Sequence, residues 1–337
     1  VRGVTAFLEP ALAAGAPVLV AVPGDNLGVL RSALAGRDTR VRFADMTVAG
    51  RNPGRILPTV LLPFAADHPG ERPWIVGEPV WPGRTADEYP ECVAHEALIN
   101  AAFAGRDAAI LCPYDAAGLD EVSVADAART HPAFLRPAGD RVPSRRYADP
   151  LALAAECNVP LPPVPTGAAA LAYDAAVGLG AVRRFVSAQA RGAGLADDRA
   201  DDLVVAVNEL AANTIAHTPG EGTVRVWAEG GQVRCQVDDG GYLADPLAGR
   251  IPPAVDVPGG RGLILVHRLC DLVRVHRGVG GTAVRLHVDG AARLSRARSQ
   301  APQPGCPAVA ASDGAGASAA RSGPRAAGRS RRSTAAR

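Results

Sequence analysis

The sequence predicts two folded domains of different class, an α/β domain followed by an α+β domain, with a disordered tail behind them. Three observations lead to this prediction. Short apolar runs alternate with helix-like stretches over residues 1–135, a proline-dense segment follows at 136–166, and two long helical patterns then precede a series of strands that ends near residue 289. A chain of 337 residues is also longer than one ordinary domain requires.

The first domain is predicted to be a mostly parallel sheet covered by helices, because strands that alternate with helices build such sheets. Its clearest strand is the uninterrupted apolar run at 17–22, which ends in Pro23-Gly24. Further strands are predicted at 41–43, 74–76 and 108–112. Helices are predicted at 6–14, 27–34, 56–66 and 89–103.

The segment 136–166 is rich in proline and arginine and ends in the run VPLPPVP at 159–165. Prolines at that density cannot continue a helix or a central strand. We therefore expect a stiff, extended linker, and we place the domain boundary there.

The second domain, at 167–289, is predicted to be a two-layer α+β sandwich with helices on one side of an antiparallel-rich sheet. Helices are predicted at 168–190, 199–217 and 262–270. Strands are predicted at 223–228, 233–237, 272–276 and 282–287.

The last segment, 290–337, consists mainly of Ala, Arg, Ser, Pro and Gly, a composition typical of disorder. It contains nine arginines and one acidic residue, Asp313, so its net charge is +8. Since the whole chain is only +2, the rest of the chain is acidic at about −6. A solvated tail is the simpler interpretation, with weak contact to nucleic acid or an acidic partner left open; no other direct nucleic-acid binding is expected.

Composition excludes several classes of protein. The chain has no apolar run of roughly 18 residues and no signal-peptide pattern, so a cytoplasmic protein without a membrane segment is expected. Its six cysteines lack paired C-x-x-C spacing, which argues against a disulfide framework or a zinc ribbon. All 36 basic residues are arginine, so no lysine is present to contact a phosphate. The chain starts at Val1 and enters a helix almost at once, and we expect the N-terminus to be incomplete.

A polar pair on the second predicted helix of the second domain is the first sign of a ligand site. Glu209 and Asn213 stand at i and i+4, so both project from one helix face. An amide oxygen is a suitable ligand for Mg²⁺, which prefers oxygen donors and usually binds through one or two protein groups plus phosphates and water. The neighbouring carboxylate can orient or deprotonate an attacking hydroxyl.

Two glycine-containing segments complete the constellation. Asp238 follows a strand, and Gly240 allows the backbone to turn away, so the carboxylate can accept a hydrogen bond from an exocyclic amine such as that of adenine. The segment Gly259-Gly260-Arg261-Gly262 opens a helix, where backbone N–H groups and the helix dipole favour phosphates. Between them, residues 242–258 contain five prolines or glycines and are interpreted as a mobile loop that closes over a nucleotide.

In this order and spacing, these motifs and Gly281-Thr282 resemble the GHKL superfamily, whose ATP-binding domain has the Bergerat fold, and specifically the ATPase domain of bacterial anti-sigma factor serine kinases. The resemblance covers about residues 166–288. It implies ATP and Mg²⁺ as cofactors and the following site: Asn213 as the Mg²⁺ ligand, Glu209 as the catalytic carboxylate, Asp238 as the adenine-binding residue, Gly240, Gly260 and Gly262 around the nucleotide, and Thr282 near the base. The superfamily's D-x-G-x-G motif has a second glycine where this chain has Tyr242.

The first 135 residues resemble the MEDS sensory domain, a RecA-like α/β module of regulators thought to respond to small molecules. The resemblance rests on the segments at 15–23, 45–53, 77–84, 92–100 and 111–115. No lysine-containing phosphate-binding loop is present, so ATP hydrolysis is not expected in this domain. The candidate signal-binding residues are Trp81, Arg84, Glu96, Tyr114 and Asp115, with closure of the α/β interface as the simpler alternative.

A metal site in the first domain is a further possibility. Cys92, His95 and Cys112 supply ligand types, but a lone C-x-x-H with a distant cysteine is far more often part of a core.

The leading functional hypothesis is a signalling regulator that binds Mg-ATP and phosphorylates a serine or threonine of a protein partner resembling an anti-sigma antagonist, under control of the sensory domain. It could also bind a sigma factor or form a homodimer. The alternatives are a non-catalytic, ATP-dependent binding switch and, less well supported, a sensor histidine kinase. Against the last, His217 ends the helix of the ATP site, where capping is the simpler role, and the predicted helix at 168–190 contains no histidine.

Overall fold

The computed structural model of the chain describes residues 1–37, 40–136, 139–253 and 259–290. The predicted disorder of the tail falls on 291–337, outside the described residues.

The N-terminal domain is built on a parallel four-stranded sheet, as predicted. Its strands are β1 (Val18–Val22), β2 (Val41–Asp45), β3 (Trp74–Gly77) and β4 (Ala109–Leu111), in the order β2-β1-β3-β4. All five residues of β1 are buried, and its alternate side chains enter two apolar clusters, one on each face of the sheet. A parallel sheet covered on both faces needs such continuous apolar strands.

In the described part of this domain, the helices that accompany the sheet are α1 (Arg2–Ala13), α2 (Gly24–Ala33), α3 (Met46–Ala49), α4 (Pro53–Ile56), α5 (Leu62–Ala66), α6 (Tyr89–Ala102) and α7 (Glu121–Thr130). A π-helical turn at Leu57–Leu61 joins α4 to α5. The helix predicted at 56–66 therefore starts earlier, at Pro53. Its hydrogen-bond pattern changes in this region, where Pro58 and Pro63 lack N–H donors. Helix α6 is buried along almost its whole length.

The segment expected to be an extended linker contains regular structure. A small antiparallel pair joins β5 (Ala133–Leu135) to β6 (Arg141–Pro143), and α8 spans Pro150–Glu156. Asp149 caps α8 by accepting from the N–H groups of Leu151 and Ala152, and Pro150 lies at the first helical position, where proline is tolerated. The expectation was wrong here because it counted prolines without regard to their position in a helix.

The C-terminal domain is a two-layer sandwich, which confirms the predicted fold class. Its antiparallel sheet has the order β10-β11-β9-β8-β7. The strands are β7 (Ala169–Tyr173), β8 (Gly222–Glu229), β9 (Gln232–Asp239), β10 (Leu272–Gly278) and β11 (Gly281–Asp289). Helices α9 (Gly178–Gly192), α10 (Asp197–His217) and α11 (Gly262–Leu269) pack on one face, around a shared apolar core.

The helix predicted at 168–190 was wrong in its first third. Residues 169–173 instead form the edge strand β7, paired with β8. Helix α9 begins only after a turn in which Asp174 accepts from the N–H groups of Ala176 and Val177 and Gly178 has φ +74°. The alanines of 168–172 suit a helix, but pairing with a neighbouring strand overrides so weak a preference.

Within the described part of the chain, no helix is long and apolar enough to cross a bilayer.

Candidate functional site

A cavity of about 1020 Å³ opens at one end of the C-terminal sandwich. Its walls come from the last turns of α10, the end of β9, the loop that follows β9, and the glycine-rich start of α11. Of the residues predicted for the ATP site, five line it: Glu209, Asn213, Gly260, Gly262 and Thr282. A cavity of this size lies at the upper end of the range usual for small-molecule sites.

Glu209 and Asn213 project from α10 one turn apart, both half-buried. Opposite them, α11 begins at Gly262, where a Cβ atom would lie 2.8 Å from Oε2 of Glu209. Glycine is therefore required at this position if the Glu209 carboxylate is to lie against the helix start. The arrangement brings a carboxylate, an amide and a helix N-terminus to one wall of the cavity.

Asp238 does not belong to this cavity, contrary to the prediction. Its side chain forms an ion pair with Arg225 and accepts from Nε2 of Gln236 at 2.7 Å. These side chains lie on the face of the sheet away from the helices, because strand residues alternate between faces and Val237 enters the core on the helix side.

The carboxylate in the cavity is that of Asp239, one residue further on. Its Oδ2 accepts from the Thr214 hydroxyl at 2.8 Å, and that hydroxyl accepts in turn from Tyr173 at 2.9 Å. Burial is the main cause that raises the pKa of Tyr173, with Asp239 contributing. Thr214 and Tyr173 fix Asp239, and neither was predicted. Only Thr214 had a signal in the sequence, as the residue beside Asn213.

The glycine that the structure requires also differs from the predicted one by one position. A Cβ at Gly241 would lie 2.5 Å from Cγ2 of Thr218, whereas one at Gly240 would have room. The motif thus runs from Asp239 to Gly241, and Leu243 takes the place of its second glycine. Gly281, at φ +119°, is a further requirement, because a Cβ there would overlap the carbonyl of Asp239.

Thr282 is buried and ties down the backbone that leaves β9. Its hydroxyl donates to the carbonyl of Gly241 at 2.9 Å and accepts from the N–H of Leu243 at 3.3 Å. On the far side of the cavity, Gly259 and Gly260 have φ values of +81° and +72°, a backbone conformation that favours glycine. Both are exposed just before α11, where backbone N–H groups are available to an anion.

Two families account for most of the chain. Residues 1–132 match the MEDS family, described as the methanogen/methylotroph, DcmR sensory domain. Residues 173–288 match the histidine kinase-like ATPase domain. The chain joins a MEDS domain to a GHKL-type ATPase domain.

Other comparisons are more distant. No curated protein is significantly similar to the chain. Among solved structures, the RsbU and RsbW domains of Rv1364c from Mycobacterium tuberculosis match with 22% identity and a TM-score of 0.29. That match covers 37% of this chain, which spans only 33% of the other.

The loop after β9 in the ATPase domain packs against the MEDS domain. Arg250 is buried and its Nη2 lies 2.6 Å from Oε2 of Glu91 on α6. Leu247 and Ile251 pack on the apolar cluster that covers one face of the MEDS sheet. The loop predicted at 242–258 thus contacts the other domain at Leu247, Arg250 and Ile251. Residues 254–258 lie outside the described residues.

Helix α11 of the ATPase domain packs closely against α4 of the MEDS domain. Asn52 is fully buried, and its Nδ2 donates to the carbonyl of His267 at 2.8 Å. A Cβ at Gly54 would overlap the His267 ring. Burial, and then Arg250, hold the pKa of His267 well below its usual value, so its ring is neutral. Helix α11, which begins at the glycine-rich loop, therefore packs directly against the MEDS domain.

Charged and polar contacts extend this interface around the ATPase sheet. Asp87 lies 2.8 Å from Nη1 of Arg274 and 3.6 Å from Nη2 of Arg234. Asn158 exchanges two hydrogen bonds of 2.8 Å with the backbone of Arg277. The segment between the domains therefore adheres to the ATPase sheet.

The five candidate sensory residues fall into three places. Arg84 stacks on Trp81, with its guanidinium carbon 3.5 Å from the ring centroid, and donates to three backbone carbonyls. Tyr114 packs edge-on against His131, whose Nε2 lies 3.0 Å from Oε2 of Glu96. Asp115 is exposed. Trp81 and Arg84 thus contact each other, whereas Glu96 and Tyr114 share a second cluster with His131.

That second cluster also contains Cys112. The ligand atoms of Glu96, Cys112 and His131 all lie within 4.8 Å of one another. Cys92 and His95, which the sequence grouped with Cys112, are not among them; both are buried on α6. His131 was missed because it follows α7, far from the other two in the sequence.

Proposed function

We propose that the chain binds Mg-ATP in the ATPase domain and transfers the γ-phosphate to a serine or threonine of a protein partner that resembles an anti-sigma antagonist. The observation that carries this proposal is the placement of Glu209, Asn213 and Asp239 around one cavity, with the start of α11 at its wall.

Asp239 is the residue we assign to the adenine ring. Its Oδ1 accepts from the N–H of Gly241 at 2.8 Å and its Oδ2 from Thr214, so each oxygen keeps a further lone pair for an exocyclic amine. A carboxylate held by two partners also has little freedom to lose when the ligand binds.

Asn213 and Glu209 are assigned to the phosphate end. The Asn213 amide oxygen fits Mg²⁺, which when bound would neutralise charge on the phosphates. Glu209 lies one turn away, against the start of α11, where it can accept the proton of an attacking hydroxyl. Gly260 and Gly262 bring backbone N–H groups to the same wall, which supports anion binding there.

Autophosphorylation on histidine has less support. Helix α9, which precedes the ATP-site helix, contains no histidine. His217 ends α10 and lines the cavity itself, within the nucleotide-binding domain.

A non-catalytic binding switch is the second candidate, and the contact between Arg250 and Glu91 favours it. A loop that lines the ATP cavity and also packs on the MEDS domain would couple nucleotide occupancy to the domain interface without chemistry. The same contact supports control of the ATPase domain by a signal bound to the MEDS domain. A sigma factor as partner and a homodimer remain part of this proposal.

The test is to incubate the full chain with γ-labelled ATP, Mg²⁺ and candidate antagonist proteins, alongside Glu209→Gln and Asn213→Ala. A kinase gives acid-stable phosphoserine or phosphothreonine on the partner. Glu209→Gln should abolish transfer while ATP binding persists, and Asn213→Ala should remove the Mg²⁺ dependence of binding.

Three outcomes separate the candidates. ATP binding without transfer to any partner, together with nucleotide-dependent partner affinity that survives Glu209→Gln, selects the switch. Acid-labile phosphate on the chain itself selects the histidine kinase. Absence of ATP binding by the folded protein overturns all three.

A further inference from the structure

We propose that Glu96, Cys112 and His131 of the MEDS domain form a binding site for a divalent transition metal of the zinc class. Glu96 lies on α6, Cys112 directly after β4, and His131 directly after α7. None of these residues belongs to the ATP cavity, so the proposal is independent of the proposed kinase activity.

His131 is oriented as a metal ligand would be. Its Nδ1 lies 3.0 Å from the carbonyl of Ala127, an arrangement in which the ring N–H donates to the backbone. The lone pair of the neutral ring is then on Nε2, which faces Glu96. Histidines that bind metals usually fix their free nitrogen in this way, through a hydrogen bond to a carbonyl or a carboxylate.

Glu96 is a buried carboxylate beside His131 and Cys112. It is 1% exposed, and among the described residues neither carboxylate oxygen has a hydrogen-bond partner of good geometry. The buried guanidinium groups of Arg84 and Arg250 have other partners, since Arg84 donates to backbone carbonyls and Arg250 pairs with Glu91. At 3.0 Å from Oε2, the His131 nitrogen needs either a proton or a metal ion between the two atoms, because two lone pairs would otherwise repel each other.

The set of donors selects the metal. One thiolate, one imidazole and one carboxylate are ligands that Zn²⁺ accepts, and they suit Mg²⁺ or Ca²⁺ poorly. Bonds of about 2.0–2.3 Å in tetrahedral geometry separate such ligands by roughly 3.3–3.7 Å. The three ligand atoms, already within 4.8 Å of one another, need to move only slightly.

Three protein ligands leave a fourth position for water or a small molecule. Cys112 lies at the carboxyl end of β4, the edge at which parallel sheets bind ligands. Tyr114 packs against the His131 ring at 90° and a centroid distance of 5.7 Å, which covers one side of the cluster.

Metal binding also releases a proton, because the Cys112 sulfur binds a metal as a thiolate and the thiol must lose its proton. Proton release is therefore a second readout.

The experiment uses the full chain without a histidine tag, stripped with a chelator and titrated with Co²⁺ and then Zn²⁺. We expect one equivalent of Co²⁺ to give a thiolate-to-cobalt charge-transfer band, with proton release, and Zn²⁺ to displace it. Cys112→Ser should remove the band, and His131→Gln should weaken binding at least tenfold. Cys157→Ser is the matched control, because Cys157 is another half-buried thiol that contacts a backbone carbonyl outside the cluster, and it should retain the band.

Circular dichroism identifies variants that fail to fold. A folded wild type that gives no thiolate band overturns the proposal, as does a band that survives in Cys112→Ser. In either case the cluster is a buried Glu96–His131 ion pair beside a thiol.

Discussion

Arg250, in the loop that lines the ATP cavity, forms a buried ion pair with Glu91 on α6 of the MEDS domain, with 2.6 Å between Nη2 and Oε2. The pair connects a wall of the nucleotide cavity to the interior of the sensory domain. Two buried charges of this kind hold each other in place, because either one alone would be left without solvent or partner.

Glu91→Gln should therefore lower the free energy of unfolding by about 3–5 kcal/mol, since it leaves the Arg250 charge buried and unpaired. Urea unfolding followed by circular dichroism measures this. The control is Glu9→Gln, which removes a surface pair with Arg37 and should change stability by less than about 1 kcal/mol. Equal effects of the two substitutions would mean that the buried pair is not formed.

Asp239→Asn should weaken ATP binding by at least about tenfold, because the amide presents an N–H₂ group where an acceptor is needed. Asp238→Asn is the matched control; it removes a pair with Arg225 on the other face of the sheet and should leave affinity within about twofold. Calorimetric titration with ATP and Mg²⁺ distinguishes them. The reverse ranking would restore Asp238 as the adenine-binding residue.

Gly54→Ala should push α4 away from α11, because the added methyl overlaps the His267 ring. We expect a loss of about 1–3 kcal/mol in unfolding free energy, as for other overpacked cores. Gly28→Ala, on α2 with open space around the new methyl, should be neutral or stabilising by up to about 1 kcal/mol. Thermal unfolding compares the two variants. A Gly54→Ala protein as stable as the wild type would show that the contact between α4 and α11 accommodates the added methyl group.

The stability of the protein should fall on acidification. Burial, and then Arg234, lower the pKa of His287 to about 4, against an unfolded value near 6.5. Below pH 6.5 the unfolded chain takes up a proton that the folded protein refuses, so stability present above that pH is lost as the pH falls towards 4. His95 and His267, whose pKa values are also lowered by burial, act in the same direction.

For His287 alone the loss amounts to about 2 kcal/mol between about pH 7 and pH 5. Urea unfolding at the two pH values should show a smaller difference for His287→Gln than for the wild type. An unchanged pH dependence in His287→Gln would exclude His287 as a source.

The sequence predicted what depends on local pattern. Both the apolar run of β1 and the i, i+4 spacing of Glu209 and Asn213 can be recognised within a few residues of sequence. Strand β7 could not be predicted in this way, because its alanines favour a helix until β8 pairs with them. The choice between Asp238 and Asp239 depends on which face of β9 each side chain occupies, and two adjacent aspartates do not settle that.

Contacts between distant segments were beyond prediction for a different reason. Glu96, Cys112 and His131 come from three elements at irregular spacing, so no motif joins them. Asn52 was visible only as part of a resemblance, and its bond to the His267 carbonyl depends on how two domains meet. The way in which two domains pack against each other cannot be inferred from a single sequence.

Three residues of the MEDS domain contact the ATPase domain and stabilise it: Asn52, Asp87 and Glu91. An ATPase fragment cut out after residue 166 would expose Arg250 and Arg274 without their carboxylate partners, and would uncover His267. We therefore do not expect either domain to be exchangeable for a domain of another protein as an independent unit. A chimera carrying a foreign sensor would need these three side chains transplanted with it before its nucleotide pocket could be expected to assemble.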